Sequence, residues 1–230
     1  YLPDQIKAVV ADRPKVILQH EAEVLGTGGG LRKALEHFHD DPVLVMNGDI
    51  FHDIDLSRLV TAHTAGNNAV TLALHDYPRF NSVVVQQGRV RDFSTSREHE
   101  NLLAFTGIHV VNQEVLQQIP LNCFFHIIDL YKEIAEAGKI GYIRTDGSFW
   151  QDMGTPDDYL DLHRHLLSAQ KPSWCIHESV LIGKNVQFTE WGAVGPGAVI
   201  GDEAQLARCV VWEGAEITAG AKYKDAILSD

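Results

Sequence analysis

Cationic side chains, cysteines and long apolar runs are all scarce in this chain of 230 residues, and each shortage excludes something. Nineteen Lys and Arg against 31 Asp and Glu leave a formal charge of −12 at pH 7, too acidic for a broad phosphate-backbone surface, so nucleic acid is not an expected partner. A small phosphorylated ligand is still compatible with that charge, because one pocket can be locally positive or hold a metal. Three cysteines, Cys123, Cys175 and Cys209, lie far apart without CxxC spacing and cannot all pair, which reads as a reducing cytoplasm rather than a disulfide framework. No stretch approaches the ~18 uninterrupted apolar residues of a membrane span, so no membrane partner is expected. Neither does a charged-then-apolar leader open the chain; Tyr1 runs directly into the helix-like LPDQIKAVV, as at an internal start. Twelve histidines include no HExxH and no Cys/His cluster for zinc, and no serine has the spacing of a hydrolase triad.

What is present is apolar material for a sizeable core, 45% hydrophobic against 22% charged residues. Up to residue 170 short β-branched runs alternate with amphipathic segments: Lys15 to Gln19, then GGGLRKALEHF, Val43 to Asn47, Leu56 to Ala65 and Ala69 to His75. This alternation predicts βαβ units around a parallel sheet, whose ligands collect beyond the carboxyl ends of the strands. SVVVQQGRVRDF predicts a hairpin turning at Gln87-Gly88, and LLAFTGIHVV a further strand, together an antiparallel insert. HIIDLYKEIAEAG returns to helical period, and Thr155-Pro156-Asp157-Asp158 supplies a cap, a first-turn proline and two acids to open a last helix.

From residue 171 to 230 the period becomes six. Ile176, Ile182, Phe188, Val194, Ile200 and Leu206 recur, then after a one-residue slip Val211, Ile217 and Tyr223, and four residues after each stands something small or aliphatic, Val210 among them. Alternating strands would give period two; hexads of this kind predict a β-solenoid stacking its apolar interior coil on coil. The uncapped solenoid end is expected to be covered by further chain or by another subunit, as in a homo-oligomer.

Several residues are candidates for chemistry. Leu25-Gly26-Thr27-Gly28-Gly29-Gly30 precedes a helix, where backbone amides could approach an anion or a ring edge, although it is neither the dinucleotide GxGxxG nor a Walker loop. A tight strand-to-helix turn is the plainer alternative. Asn47-Gly48-Asp49 ends a buried strand at the ligand side, where a carboxylate suits Mg²⁺. In Asp53-Ile54-Asp55 the second acid reads as a helix cap. Asp152 stands before Gly154 and a helix start, with Thr155 in the better capping position. Arg32 and Lys33 behind the glycines could reach phosphate, or simply be solvated.

LGTGGGLRKAL, VLVMNGDI, FTGIHVV and FWQDMGTPDDY, in that order and followed by hexads, resemble the sugar-1-phosphate nucleotidyltransferases, or NDP-sugar pyrophosphorylases. The branch most resembled contains mannose-1-phosphate and heptose-1-phosphate guanylyltransferases and N-acetylmuramate-1-phosphate uridylyltransferases. The resemblance implies an α/β fold with a Rossmann-like nucleotidyltransferase sheet in residues 1–170 and a left-handed β-helix in 171–230. It implies attack of a sugar phosphate on the α-phosphorus of an NTP, GTP first and UTP second, with Mg²⁺ held by Asp49 and Asp152. Leu25, Gly26, Thr27 and Gly28, with Glu23, Asn47 and Gly48, would bind the nucleotide, and Thr106 and Gly107 the sugar. Two departures stand out. The family's opening strand with its Gly-rich, arginine-bearing loop and Pro-Lys pair is absent, so a βαβ piece of ~30 residues is expected to be missing and these residues alone are not expected to catalyse the reaction. At the sugar site, where relatives carry Glu-Lys-Pro, Arg97 or Glu98 stands instead. Two rival functions are a non-catalytic nucleotide-sugar-binding regulatory subunit of the same fold and a hexapeptide-repeat acyltransferase, which His177, the lone histidine among the hexads, supports poorly.

Overall fold

The computed structural model describes residues 3–94 and 102–229. In chain order the elements are α1 (Pro3–Val10), α2 (Gly26–Ala34), a 3-10 turn (Leu35–His37), β1 (Val43–Met46), β2 (Ile50–His52), α3 (Leu56–Ala65), β3 (Val70–His75), β4 (Asn81–Gln86), β5 (Arg89–Phe93) and β6 (Leu102–Val111). There follow α4 (Gln113–Leu116), α5 (Ile127–Glu136), β7 (Ile140–Arg144), β8 (Trp150–Asp152), α6 (Pro156–Ser168), β9 (Trp174–Ile176), β10 (Leu181–Ile182), β11 (Gln187–Val194), β12 (Val199–Ile200), β13 (Gln205–Val211), β14 (Glu216–Ile217) and β15 (Lys222–Leu228). They pack as two compact units, Tyr1–Asn47 with Asp53–Ser148, and Gly48–His52 with Phe149–Asp230.

The first unit is a mixed, Rossmann-like sheet in the order β5-β4-β6-β3-β7, with β1 also on β6. The apolar run LLAFTGIHVV is buried along most of its length, and it forms the central strand. One edge of β6 carries β3; the other carries β4 at Leu102–Ala104 and β1 at Ile108–Val111, every pairing antiparallel. Only β3 and β7 pair in parallel among the described strands of this sheet. The expected parallel sheet is therefore interrupted: β6 of the insert lies between β1 and β3, while its β4–β5 hairpin forms one edge of the sheet. The β4–β5 hairpin turns where expected, with Gln87 and Gly88 both left-handed (φ 52° and 72°), the twist that matches a two-residue hairpin. Helix α5 buries Ile127, Leu130, Tyr131 and Ala135, one helical stripe, against the strand residues Leu72, Val83, Val90 and Leu103.

The strand expected at Lys15–Gln19 does not form. Val16, Ile17 and Leu18 are 44%, 62% and 44% exposed, they pair with no strand among the described residues, and a β-branched run without a pairing strand is only extended chain.

In the second unit, β9-β11-β13-β15 and β10-β12-β14 stack in parallel as a β-helix of about three turns. Gln187 pairs with Gln205 and Gln205 with Lys222, so one coil takes three hexads and the next is a residue shorter. Left-handed corners stack at Asn185, Glu203 and Gly220 and at Gly197 and Gly214. Val194, Ile200, Leu206, Val211 and Ile217 fill the interior with Ala198, Ala204 and Ala215. Three hexad positions behave otherwise: Ile182 and Tyr223, in the first and last coils, are 49% and 39% exposed, and Val210 faces outward. The slip is a bulge on β11, where Glu190 and Trp191 together oppose Arg208. The bulge turns Trp191 out of the coil to pack with Val210 and with Leu167 of α6. On the outer wall Arg208 links Glu190 of the coil before to Asp225 of the coil after.

Candidate active site

A short antiparallel ladder in the second unit carries the two acids. Ile50 pairs with Asp152, Phe51 with Gln151 and His52 with Trp150, and the Met153 amide donates to the Asp49 carbonyl at 2.8 Å. Asp49 and Asp152, distant in sequence, thus become backbone neighbours, and neither is in dry core: Asp49 is exposed and Asp152 half-buried. Asp49 lies in the turn ahead of β2, outside the pleat that would dictate its direction. Asp152 Oδ1 accepts the Gly154 amide at 2.9 Å, which steadies the carboxylate. The capping alternative for Asp152 is met by Thr155, whose Oγ1 accepts the Asp158 amide at 3.2 Å and donates to Asp158 Oδ2 at 2.6 Å. A Cβ on Gly48 would meet no described atom within 4 Å, so packing does not demand glycine there; what glycine leaves is open space.

Among the described residues no three His, Cys, Asp or Glu stand together as a ready-made metal cage. Two carboxylates on adjoining backbone fit Mg²⁺, which keeps several waters and takes phosphate oxygens rather than an all-protein shell.

In the first unit the glycine run does different work from that expected. The Gly28 and Gly29 amides both donate to the Phe125 carbonyl, at 2.9 and 3.4 Å, and the Phe125 amide donates to the Leu25 carbonyl at 2.9 Å. The Ile127 amide donates to Thr27 Oγ1 at 3.3 Å. Cβ atoms on Gly28 and Gly29 would strike the Phe125 ring and the Cys123 carbonyl, so these glycines admit a neighbouring segment rather than present free amides. Gly26 is left-handed (φ 69°), and a Cβ there would stand 2.9 Å from the Phe125 carbonyl. Glu23 is exposed; the glutamate that holds the run is Glu21, whose Oε2 accepts the Leu25 amide at 3.0 Å while Gln19 Nε2 donates to its Oε1 at 3.2 Å. Two glutamates two residues apart are equivalent to sequence reasoning, and only the path of the chain separates them. Arg32 Nε and Lys33 Nζ donate to the Ile119 and His20 carbonyls, which engages both cations.

Thr106 and Gly107 form a bulge in β6, between the pairs Leu72–His109 and Leu74–Phe105. Thr106 is fully buried, its hydroxyl donating to the Ala73 carbonyl at 2.8 Å, so that hydroxyl pins the bulge instead of facing a sugar. Gly107 is left-handed (φ 78°), its carbonyl accepts the Asn47 amide at 3.1 Å, and a Cβ on it would lie 2.8 Å from Asn47 Cγ. Asp55 caps α3 as expected, accepting the Ser57 and Arg58 amides at 2.9 and 3.2 Å; the Ser57 hydroxyl, then the Arg58 amide, hold its carboxyl below the usual range. Arg97 and Glu98 lie outside the described residues. No helix among the described residues is long and apolar enough to cross a membrane.

The nucleotidyl transferase family model matches residues 4–169. The chain is 27% identical over 255 residues to "Mannose-1-phosphate guanylyltransferase" of Mycobacterium tuberculosis, covering 96% of this chain and 67% of the relative. It is 31% identical over 220 residues to "Probable mannose-1-phosphate guanylyltransferase 2" of Arabidopsis thaliana, covering 89% of this chain and 59% of the relative. The chain therefore spans roughly three-fifths to two-thirds of these relatives' length. The crystal structure of HddC from Yersinia pseudotuberculosis complexed with GMP-PN superposes with a TM-score of 0.58 at 19% identity, over 70% of this chain and 73% of that one, a likeness of fold. With most of its length matched by the family model, the chain belongs to the nucleotidyl transferase family.

Proposed function

We propose that this chain carries the carboxylate centre of a sugar-1-phosphate nucleotidyltransferase, joining a nucleoside monophosphate from an NTP to a sugar 1-phosphate and releasing pyrophosphate. GTP is the favoured nucleotide, with a GDP-mannose-type product, because the relatives compared above are named mannose-1-phosphate guanylyltransferases; UTP is the second choice. The observation that carries the reading is the β2–β8 ladder, which makes Asp49 and Asp152 neighbours.

Asp49 and Asp152 would hold Mg²⁺, which when bound neutralises phosphate charge and orients the reacting oxygens. The chain needs no nucleophile of its own. Asp152 keeps its pose through the Gly154 amide. The open space at Gly48 leaves room for phosphate. Leu25, Gly26, Thr27 and Gly28 line the base, with Asn47 beside the nucleotide and Gly107 rather than the Thr106 hydroxyl toward the sugar. The division into a catalytic domain, 1–170, and a β-helix domain, 171–230, belongs to this reading, with the β-helix as an assembly surface for a homo-oligomer. Three free cysteines suit a reducing compartment, and we place the reaction in the cytoplasm.

Pyrophosphate release from the full-length protein, with Mg²⁺, four NTPs and a panel of sugar 1-phosphates, tests the reading. Asp49→Asn and Asp152→Asn should each lower kcat by roughly 100-fold or more without loss of fold, the scale of removing preorganised charge stabilisation. Silence of the wild type across the panel would refute catalysis. Nucleotide-sugar binding without turnover would favour the regulatory subunit.

A further inference from the structure

We infer that Phe124 is a base-stacking residue of the nucleotide site, presenting an aromatic face against which the nucleobase is laid. The inference rests on the reading above that Leu25, Gly26, Thr27 and Gly28 cup the base. The segment Cys123–Ile127 is laced to Leu25 and the first turn of α2 by the Phe125 and Ile127 amides and by the Phe125 carbonyl. Phe125 turns inward to pack on the core while Phe124 beside it remains 57% exposed. The Phe124 ring rests on Gly26: a Cβ there would approach its Cε2 to 3.2 Å, so glycine is what admits the ring. The Phe124 and His126 rings stand perpendicular, centroids 4.8 Å apart and planes at 87°, a contact that braces Phe124.

The chemistry of the start of α2 points the same way. Two of its amides, at Gly28 and Gly29, are engaged by the Phe125 carbonyl, so they do not serve to read a base edge. What the structure sets beside Gly26 is a large, braced, exposed π surface. A nucleobase is the part of the proposed substrates that matches it, since phosphates and sugar hydroxyls gain nothing comparable from an aromatic face. Stacking tolerates any base, so Phe124 contributes affinity for NTPs generally and leaves the choice of GTP over UTP to hydrogen-bonding groups.

Calorimetric titration of the full-length protein in Mg²⁺ with GTP, UTP and inorganic tripolyphosphate, a probe without a base, separates these roles. Phe124→Ala should weaken both nucleotides by roughly 5- to 100-fold and leave tripolyphosphate unchanged, the scale of losing one base–aromatic stack. Phe124→Trp should retain nucleotide affinity, and Phe124→Ala should raise KM for the NTP with kcat held. Unaltered nucleotide affinity in Phe124→Ala, or an equal loss for tripolyphosphate, overturns the inference while leaving the function intact. A wild type that neither binds NTP nor releases pyrophosphate overturns the functional reading, and this inference with it. Circular dichroism and thermal unfolding verify that the exposed substitution leaves the fold intact.

Discussion

Acidification should weaken this protein through one buried imidazole. His109, in the centre of β6, is 3% exposed, and neither ring nitrogen has a hydrogen-bond partner among the described residues. Its neighbours are the Phe105 ring and, perpendicular with centroids 5.4 Å apart, the Tyr131 ring, whose hydroxyl is likewise buried without a partner among the described residues. Burial pushes its pKa down from 6.5 to about 3, because this apolar site disfavours the charged form. The folded value lies below the unfolded one, so protons favour the unfolded chain: stability is complete above pH 6.5 and falls as the pH drops toward 3. Each pH unit in that window costs about 1.4 kcal/mol, which makes about 2 kcal/mol between pH 7 and pH 5 and about 5 kcal/mol over the whole range. The assay is urea unfolding at pH 7 and pH 5 of the wild type and of His109→Leu, which is close in volume and cannot titrate. The wild type should lose about 2 kcal/mol more than the variant between the two pH values. An equal loss in both proteins, or imidazole NMR resonances that titrate near pH 6.5 in the folded protein, would refute the argument.

Glycines offer a second contrast. Gly29→Ala drives a Cβ into the Cys123 carbonyl and should cost about 2–3 kcal/mol in urea unfolding, whereas Gly48→Ala meets no described atom and should stay within about 0.5 kcal/mol while slowing pyrophosphate release. Equal stabilities for the two variants would remove the packing role assigned to Gly29. Trp191→Ala empties the contact among Leu167, Val210 and Tyr159 and should cost about 3–5 kcal/mol, read from thermal or urea unfolding of the β-helix unit; a change below 1 kcal/mol would contradict its anchoring role.

Local chemistry was well legible. Thr155 and Asp55 cap the helices their positions predict, because an N-cap needs only a side-chain oxygen and amides two or three residues on. The left-handed pair Gln87-Gly88 announced its hairpin for a similar reason. Groups whose partners come from afar were less legible. The hydroxyl of Thr106 looked available until the backbone of β3 claimed it, and the glycine amides until Phe125 arrived from a segment far along the chain. Glu21 and Glu23 differ only in where the chain carries them. At Lys15–Gln19 strand-like composition met no pairing strand among the described residues.

From its own pattern the sequence determined the hexad coil and the capped starts of α3 and α6, since periodicity and capping act within a few residues of chain. The tertiary structure decided which strand lies at the centre of the sheet, that Trp191 leaves its coil for α6, and that the backbone at Asp49 meets the backbone at Asp152. Those outcomes depend on pairing between segments remote in sequence, where the hydrogen-bonding partner and the buried surface exist only once both segments have been brought together.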